Sequence, residues 1–342
     1  MLFRSDAPEQ PQPLYRARLR RAGLVKDLSA VPASLFGIPV GLLGLAGAWH
    51  IGARIWELPV IVADAITVAG VIVWLVLLAL YAHKWCRHRA KAKQEARDPV
   101  QSSFVSLGLI STMLVTNSVL QVSRPAAVAL FAVSLAGQLA LGAWLLGRAW
   151  QGGQGADFVT PALYLPAVGQ NFVAAGVAVA LGWPQIAAWL FGCGALSWLA
   201  TESIVLGRAA TGEPLRAALR SAMGVQLAPP VVGGTAYLSL TTGTPDLAVN
   251  MLFGYGLYQA ALLLRLWRWV RLPTFSSGYW SVSFGATALP TMAMRMVERG
   301  DSGPMAWVAP IVFVGANLVI AYLAVSSLRI LARRRPALVA SL

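Results

Sequence analysis

Charge is scarce in this chain. Asp, Glu, Lys and Arg make up only 12% of 342 residues, about half of what soluble domains carry. A water-soluble fold of this size needs far more polar surface, so that class is excluded. Acid is the scarcest part: 13 Asp and Glu stand against 27 Lys and Arg. There are two cysteines, Cys86 and Cys193, on different segments, so no disulfide framework or thiolate metal site is expected. Three histidines, His50, His83 and His88, lack ligand spacing. No Walker A, zinc-protease, Gly-x-Ser-x-Gly or haem-ligand pattern occurs. The sequence therefore offers no catalytic residues, no cofactor and no metal. An N-terminal signal peptide is not expected either, since residues 1–32 lack an apolar core and a small-residue cleavage site.

What is abundant is apolar sequence. Hydrophobic residues reach 57%, with a mean hydropathy of +0.65. A bilayer core takes about 20 apolar residues as helix. Ten such stretches are expected: 34–52, 60–84, 101–121, 126–148, 161–181, 185–206, 219–241, 246–268, 278–297 and 305–329. Turn chemistry separates them, for example TTGTPD and RGDSGP. The predicted organisation is a basic N-terminal tail (1–32), a membrane domain (33–330) and a basic C-terminal tail (331–342).

The +14 net charge reads as topology, not as nucleic-acid binding. With the N-terminus inside, 23 of the 27 basic residues fall on the inner side. Only Arg54, Arg124, Arg295 and Arg299 fall outside. That is a strong positive-inside signal, and it places both termini in the cytoplasm. The runs RARLRR and HKWCRHRAKAKQEAR chiefly set this topology, with contact to anionic lipid as their second use.

The ten segments differ. Gly and Pro concentrate in the odd ones: Gly37 and Pro39, Pro166, Gly224 with Pro229 and Pro230, Gly285 and Pro290. Segment three has Gly108 without proline, and Pro310 in segment ten is an exception on the even side. Internal proline kinks a helix, and membranes tolerate the break where protein or a water-filled cavity satisfies the backbone. The pattern predicts kinked odd helices as an inner ring and straighter even helices outside. Intramembrane charge, which is costly and usually functional, is nearly absent. Glu202 is expected to pair with Arg208 or Arg148, and Arg295 to lie near the outer mouth. The odd segments carry neutral polar groups instead: Ser111, Thr112, Thr116 and Asn117; Tyr164, Gln170 and Asn171; Gln226 and Thr235; Ser283 and Thr287. A conduit of hydroxyls and amides with basic mouths disfavours cations and favours anions. About half of these hydroxyls are expected to bond to their own helix backbone instead.

Six stretches then resemble one known family. They are Phe36-Gly37-Ile38-Pro39-Val40-Gly41, Trp150-Gln151-Gly152-Gly153, Tyr164-Leu165-Pro166-Ala167-Val168, Met223-Gly224 with Leu227-Ala228-Pro229-Pro230, Gly254-Tyr255-Gly256, and Trp280-Ser281-Val282-Ser283-Phe284-Gly285. In order and spacing they are similar to the tellurite-resistance/dicarboxylate transporter (TehA) family, bacterial relatives of the slow anion channels of plant guard cells. The resemblance implies an all-α integral membrane fold of ten helices. These would form five hairpins in a pseudo-five-fold ring, with the odd helices lining a central pore. It further implies a homotrimer in the bacterial inner membrane, each protomer with its own pore for small anions. Phe284 would be the pore gate. Phe36, Gly37, Pro39, Pro166, Asn171, Gly224, Pro229, Ser283, Gly285, Thr287 and Pro290 would line or kink the pore. Gly285 is expected to leave room for the Phe284 ring. Three functions remain open: a gated anion channel; a proton-coupled carrier for C4-dicarboxylates, sulfite or tellurite; and a membrane scaffold or sensor.

Overall fold

A computed structural model describes residues 31–271 and 274–334. The N-terminal tail through residue 30 and the last eight residues, including Arg335, lie outside the described residues, so the expectations for the tails fall there. Among the described residues all regular structure is helical and no strand occurs. We number ten helices α1 (Gly37–Ile55), α2 (Val60–Arg87), α3 (Ser106–Leu120), α4 (Arg124–Gln151), α5 (Gln170–Ala180), α6 (Pro184–Thr211), α7 (Ala228–Leu240), α8 (Leu247–Val270), α9 (Ser281–Glu298) and α10 (Met305–Arg334).

Eight of these, taken with their lead-in turns, are long and apolar enough to cross a membrane. The protein is thus a multi-pass helical membrane protein. α7 and α9 fall outside that set. α7 has only 13 residues and α9 carries Arg295, Glu298 and several hydroxyls. Both are mostly buried by the other helices, so they do not need a lipid-facing apolar surface.

Odd and even helices separate by burial. The even spans bury 22–28% of their apolar windows, and the spans containing α1, α3 and α5 bury 61%, 50% and 89%. The even helices therefore present apolar side chains outward, where lipid solvates them. Each even helix packs on the odd helix before it. Among the odd helices, α1 packs on α3, α3 on α5, α5 on α7, α7 on α9, and α9 returns to α1.

The odd helices also share an irregular start, all at the end that carries the chain termini, here called the tail end. A 3-10 turn (Ala33–Phe36) leads into α1, and a short helix (Gln101–Phe104) precedes α3. A 3-10 turn and a π-turn (Leu165–Gly169) precede α5. Extended 3-10 structure (Ala217–Leu227) precedes α7, and another 3-10 turn (Ser277–Trp280) precedes α9. The expected mid-helix kinks take this form. Pro39 and Pro229 sit in first turns, and Pro166 sits in the π-turn. In a first turn proline has no hydrogen bond to lose. Among the odd helices only α9 holds a proline, Pro290, in its interior.

Glycine sets the closest approach, between α1 and the start of α9. A Cβ on Gly37 would lie 2.8 Å from Trp280 Cβ, and one on Gly41 would lie 2.7 Å from Ser283 Cβ. At Gly44 it would collide with the Thr287 hydroxyl. The three glycines, spaced by about one turn, form a groove that receives α9, as small residues do in membrane helix pairs. Ser283 closes the seam by donating to the Gly37 carbonyl at 3.1 Å. Gly41→Leu is expected to cost about 1–3 kcal/mol or more by overpacking. A lowered melting temperature in detergent checks it, with Gly315→Leu as the control, because nothing lies within 4 Å of a Cβ there.

Candidate functional site

The odd helices enclose a cavity of 850 Å³ that begins at the far end from the tails. All five contribute to its wall, with Asp64 and Thr67 added from α2. On each odd helix the lining residue nearest the tail end is apolar: Val40, Leu114, Phe172, Val232 and Phe284. Nearer the mouth the wall turns polar, with His50 and Arg54 on α1, Asn117 and Gln121 on α3, Ser239 on α7, and Thr291 and Arg295 on α9.

A second cavity, of 470 Å³, lies at the tail end. Ser34, Phe104, Ala222 and Gly278 line it at the starts of α1, α3, α7 and α9, beside Lys84, Lys91, Glu95 and Asp98. Along α1 and α9 the two cavities are separated by residues 35–39 and 279–283, about 8–10 Å of helix. Phe284 forms part of the boundary. It is 5% exposed, and its ring faces Gly169 of the π-turn, where a Cβ would lie 3.0 Å from Cε1. Gly169 thus provides the space for the ring. Gly285, expected in that role, instead faces Leu227 and the Ala228 nitrogen, with Cβ distances of 2.7 and 2.9 Å.

Of the twelve residues singled out in the sequence, Phe284 and Thr287 line the far cavity. The others pack between helices. Phe36 stacks edge-on against Tyr81 at 5.7 Å and lies over Gly108. Asn171 accepts from Gln138 of α4 at 2.8 Å and donates to the Ala167 carbonyl. Gly224 faces Ser281 and Val282. Gly37, Ser283, Gly285 and the prolines shape the seams described above.

The hydroxyls behave more uniformly than expected. Ser111, Thr112, Thr116, Thr235, Ser239, Thr287 and Thr291 all donate to main-chain carbonyls of their own helix. Of these, Thr235, Ser239, Thr287 and Thr291 line the cavity, offering lone pairs with their protons spent. Donors toward the cavity come from amides, His50, arginine and the Ser118 hydroxyl.

Glu202 also departs from expectation. Its carboxylate accepts from the phenols of Tyr164 and Tyr255, both at 2.7 Å, from Trp198 Nε1 at 2.9 Å, and from Gln226 at 3.0 Å. Arg148 is engaged with Gln154 and lies over the Trp144 ring, and Arg208 donates to the Glu213 carbonyl. With Gln259 at 3.5 Å, five neutral donors satisfy the carboxylate, so it needs no arginine. This network uses Tyr164 and Gln226, two groups expected in a conduit lining, to join α6 and α8 to the starts of α5 and α7.

Sequence reasoning passed over two features. Lys84 and Glu95 form a buried pair at 2.8 Å, with side chains 5% and 9% exposed. Glu95, the sole acid within HKWCRHRAKAKQEAR, was the available signal. The run folds as a helix, Arg89–Arg97, and builds the wall of the tail-end cavity. His50 was the second. It lines the far cavity, 3.7 Å from Asp64.

This architecture defines a class: a multi-pass helical membrane protein with a cavity at each end of its helical core. A profile of the voltage-dependent anion channel family, SLAC1, matches residues 30–328. The chain is 32% identical over 296 residues to the tellurite resistance protein TehA homolog of Haemophilus influenzae, covering 86% of this chain and 88% of that protein. The chain belongs to the SLAC1 family, whose members are channels or transporters of anions and not enzymes.

Proposed function

We propose that this protein is an anion channel of the bacterial inner membrane, with a central pore in each protomer gated by Phe284. One observation carries the reading: two cavities, the larger lined by all five odd helices, lie at opposite ends of the helical core, and Phe284 is among the apolar side chains at the inner end of the larger one. The cyclic packing of α1, α3, α5, α7 and α9, with an even helix behind each, supports ten membrane helices as five hairpins in a pseudo-five-fold ring. Residues 33–330 then form the channel domain, in keeping with the extent of the family match.

The wall chemistry supports anions. Among the described residues lining the far cavity, Asp64 is the one carboxylate, and His50 lies beside it, against two arginines. The charge asymmetry between loops supports cytoplasmic termini, so the tail-end cavity opens to the cytoplasm. The family likeness supports a homotrimer of separate pores, and the basic tails suit an anionic leaflet.

The test is a reversal-potential series. Purified protein in planar bilayers under a potassium chloride gradient is expected to reverse near the chloride potential, and to shift as nitrate, sulfite or malate replaces chloride. Reversal at the potassium potential overturns the reading. Saturable, pH-dependent uptake that persists after the membrane potential is collapsed selects a proton-coupled carrier of C4-dicarboxylate, sulfite or tellurite instead.

A further inference from the structure

Arg295 is the one lining arginine of the far cavity without a carboxylate in ion-pair reach among the described residues. The other, Arg54, pairs with Glu298 at 2.7 Å. Arg295 spends a single nitrogen on protein: Nη1 donates to the Thr235 carbonyl at 3.2 Å and to Ser239 Oγ at 2.5 Å. Nη2 and Nε have no protein acceptor among the described residues. Those two bonds fix the side chain against α7 and leave one edge of the guanidinium toward the cavity.

A capping role for α7 does not account for this. Arg299, one turn further along α9, already donates to the Leu238 and Thr241 carbonyls and to the Thr241 hydroxyl. Nor do the neighbouring side chains answer the charge. Thr235, Ser239 and Thr291 give their protons to carbonyls. They can accept from Arg295, but they cannot neutralise it. Glu298, the acid within electrostatic range, is held by Arg54, and Arg54 and Arg299 add positive charge nearby; a half-buried cation so placed, facing a cavity of 850 Å³, draws a mobile anion. Guanidinium offers planar paired donors, which suit an oxyanion as well as a halide.

We propose that Arg295 forms a binding site for a small inorganic anion, halide or oxyanion, in the far-side cavity. The site lies 11 residues along α9 from Phe284, roughly 16 Å of helix. An anion is concentrated there before it meets the barrier. The inference rests on the anion-pathway reading above, and it names the residue that recruits the anion.

The experiment compares Phe284→Ala with Phe284→Ala/Arg295→Gln in planar bilayers, varying chloride on the far side. Loss of the charge is expected to raise the half-saturating chloride about tenfold, equivalent to about 1.4 kcal/mol. Phe284→Ala/Arg295→Lys, which keeps the charge, is expected to stay near the Phe284→Ala parent. An unchanged concentration curve in the glutamine variant overturns the site. A second readout needs neither conduction nor a variant: crystals of the wild-type protein grown in bromide should show an anomalous peak beside Arg295. If Phe284→Ala carries no anion current, the pathway reading fails and the bromide peak alone decides the site. A peak sustains it and a blank cavity wall overturns it.

Discussion

Replacing Phe284 with alanine is expected to raise anion conductance many-fold above that of the parent protein. Five apolar side chains, one per odd helix, mark the deep end of the far cavity; two carry rings, Phe172 packed between Gly194 and Gly233, and Phe284 seated on Gly169 of the π-turn. An ion crossing such a waist must shed water that nothing there replaces, and narrow apolar constrictions close by dewetting. Each 1.4 kcal/mol or so removed from that barrier gives about tenfold in rate. Truncating a core phenylalanine ordinarily costs about 3–5 kcal/mol through the void it leaves. Here the void opens into the far cavity, which Phe284 lines, so water can fill it and the stability loss is expected to be smaller. The measurement is current per reconstituted protein, with size-exclusion profiles confirming equal folding. Equal currents in parent and variant remove Phe284 as the gate.

Eight membrane helices were legible because hydropathy and length alone specify them; α7 and α9 are too short or too polar for that, and the α1 glycines, read as pore-lining or kink positions, pack against α9 instead. Orientation within a helix was not. Asn171 and Gln170 lie on an odd segment, as do the cavity-lining residues Phe172 and Val173. Yet their amides turn to Gln138 of α4, because a buried amide goes where a partner exists. Tyr164 and Gln226 turned to Glu202 for the same reason. Proline was read as a kink, and the structure uses Pro39, Pro166 and Pro229 at irregular starts. The backbone form a proline takes depends on what packs around the first turn. Phe284 could be singled out only by likeness to a family, since an isolated Phe-Gly step carries no signature of a pore. Arg295 was correctly set near a mouth. That it lacks a carboxylate partner emerges only when Glu298 is seen to be taken by Arg54.

The Lys84–Glu95 pair leads to the other large effect, and it is one of stability. Glu95 Oε1 accepts from the Ala33 main-chain nitrogen at 2.9 Å, and Oε2 from Lys84 at 2.8 Å and Tyr81 at 3.1 Å. Lys84 in turn donates to the Val31 carbonyl at 2.9 Å. Three parts of the chain are joined by one carboxylate: the end of α2, the Arg89–Arg97 helix and the turn that begins α1. Lys84→Met removes the ammonium and leaves a carboxylate with both its oxygens drawn into a site only 9% exposed. Breaking a buried pair from one side costs about 3–5 kcal/mol, whereas replacing both charges by neutral groups of similar size is often near neutral. Lys84→Met is therefore expected to melt well below the parent in detergent. Lys84→Met/Glu95→Gln is expected to recover most of the loss, because the glutamine carbonyl can still accept from Ala33 while its amide N–H donates to the Tyr81 hydroxyl oxygen. Equal melting temperatures for the single and double variants would show that the pair is not the source of the cost. The same variant bears on the pore. The Ala33–Phe36 turn runs directly into Gly37, which packs on Trp280 and accepts from Ser283, the residue before Phe284. Loosening the turn should loosen that seam. We expect Lys84→Met to show a small anion leak at temperatures below its melting point, absent in the double variant, with the waist acting as the part of the pathway that the tail-end lock holds shut.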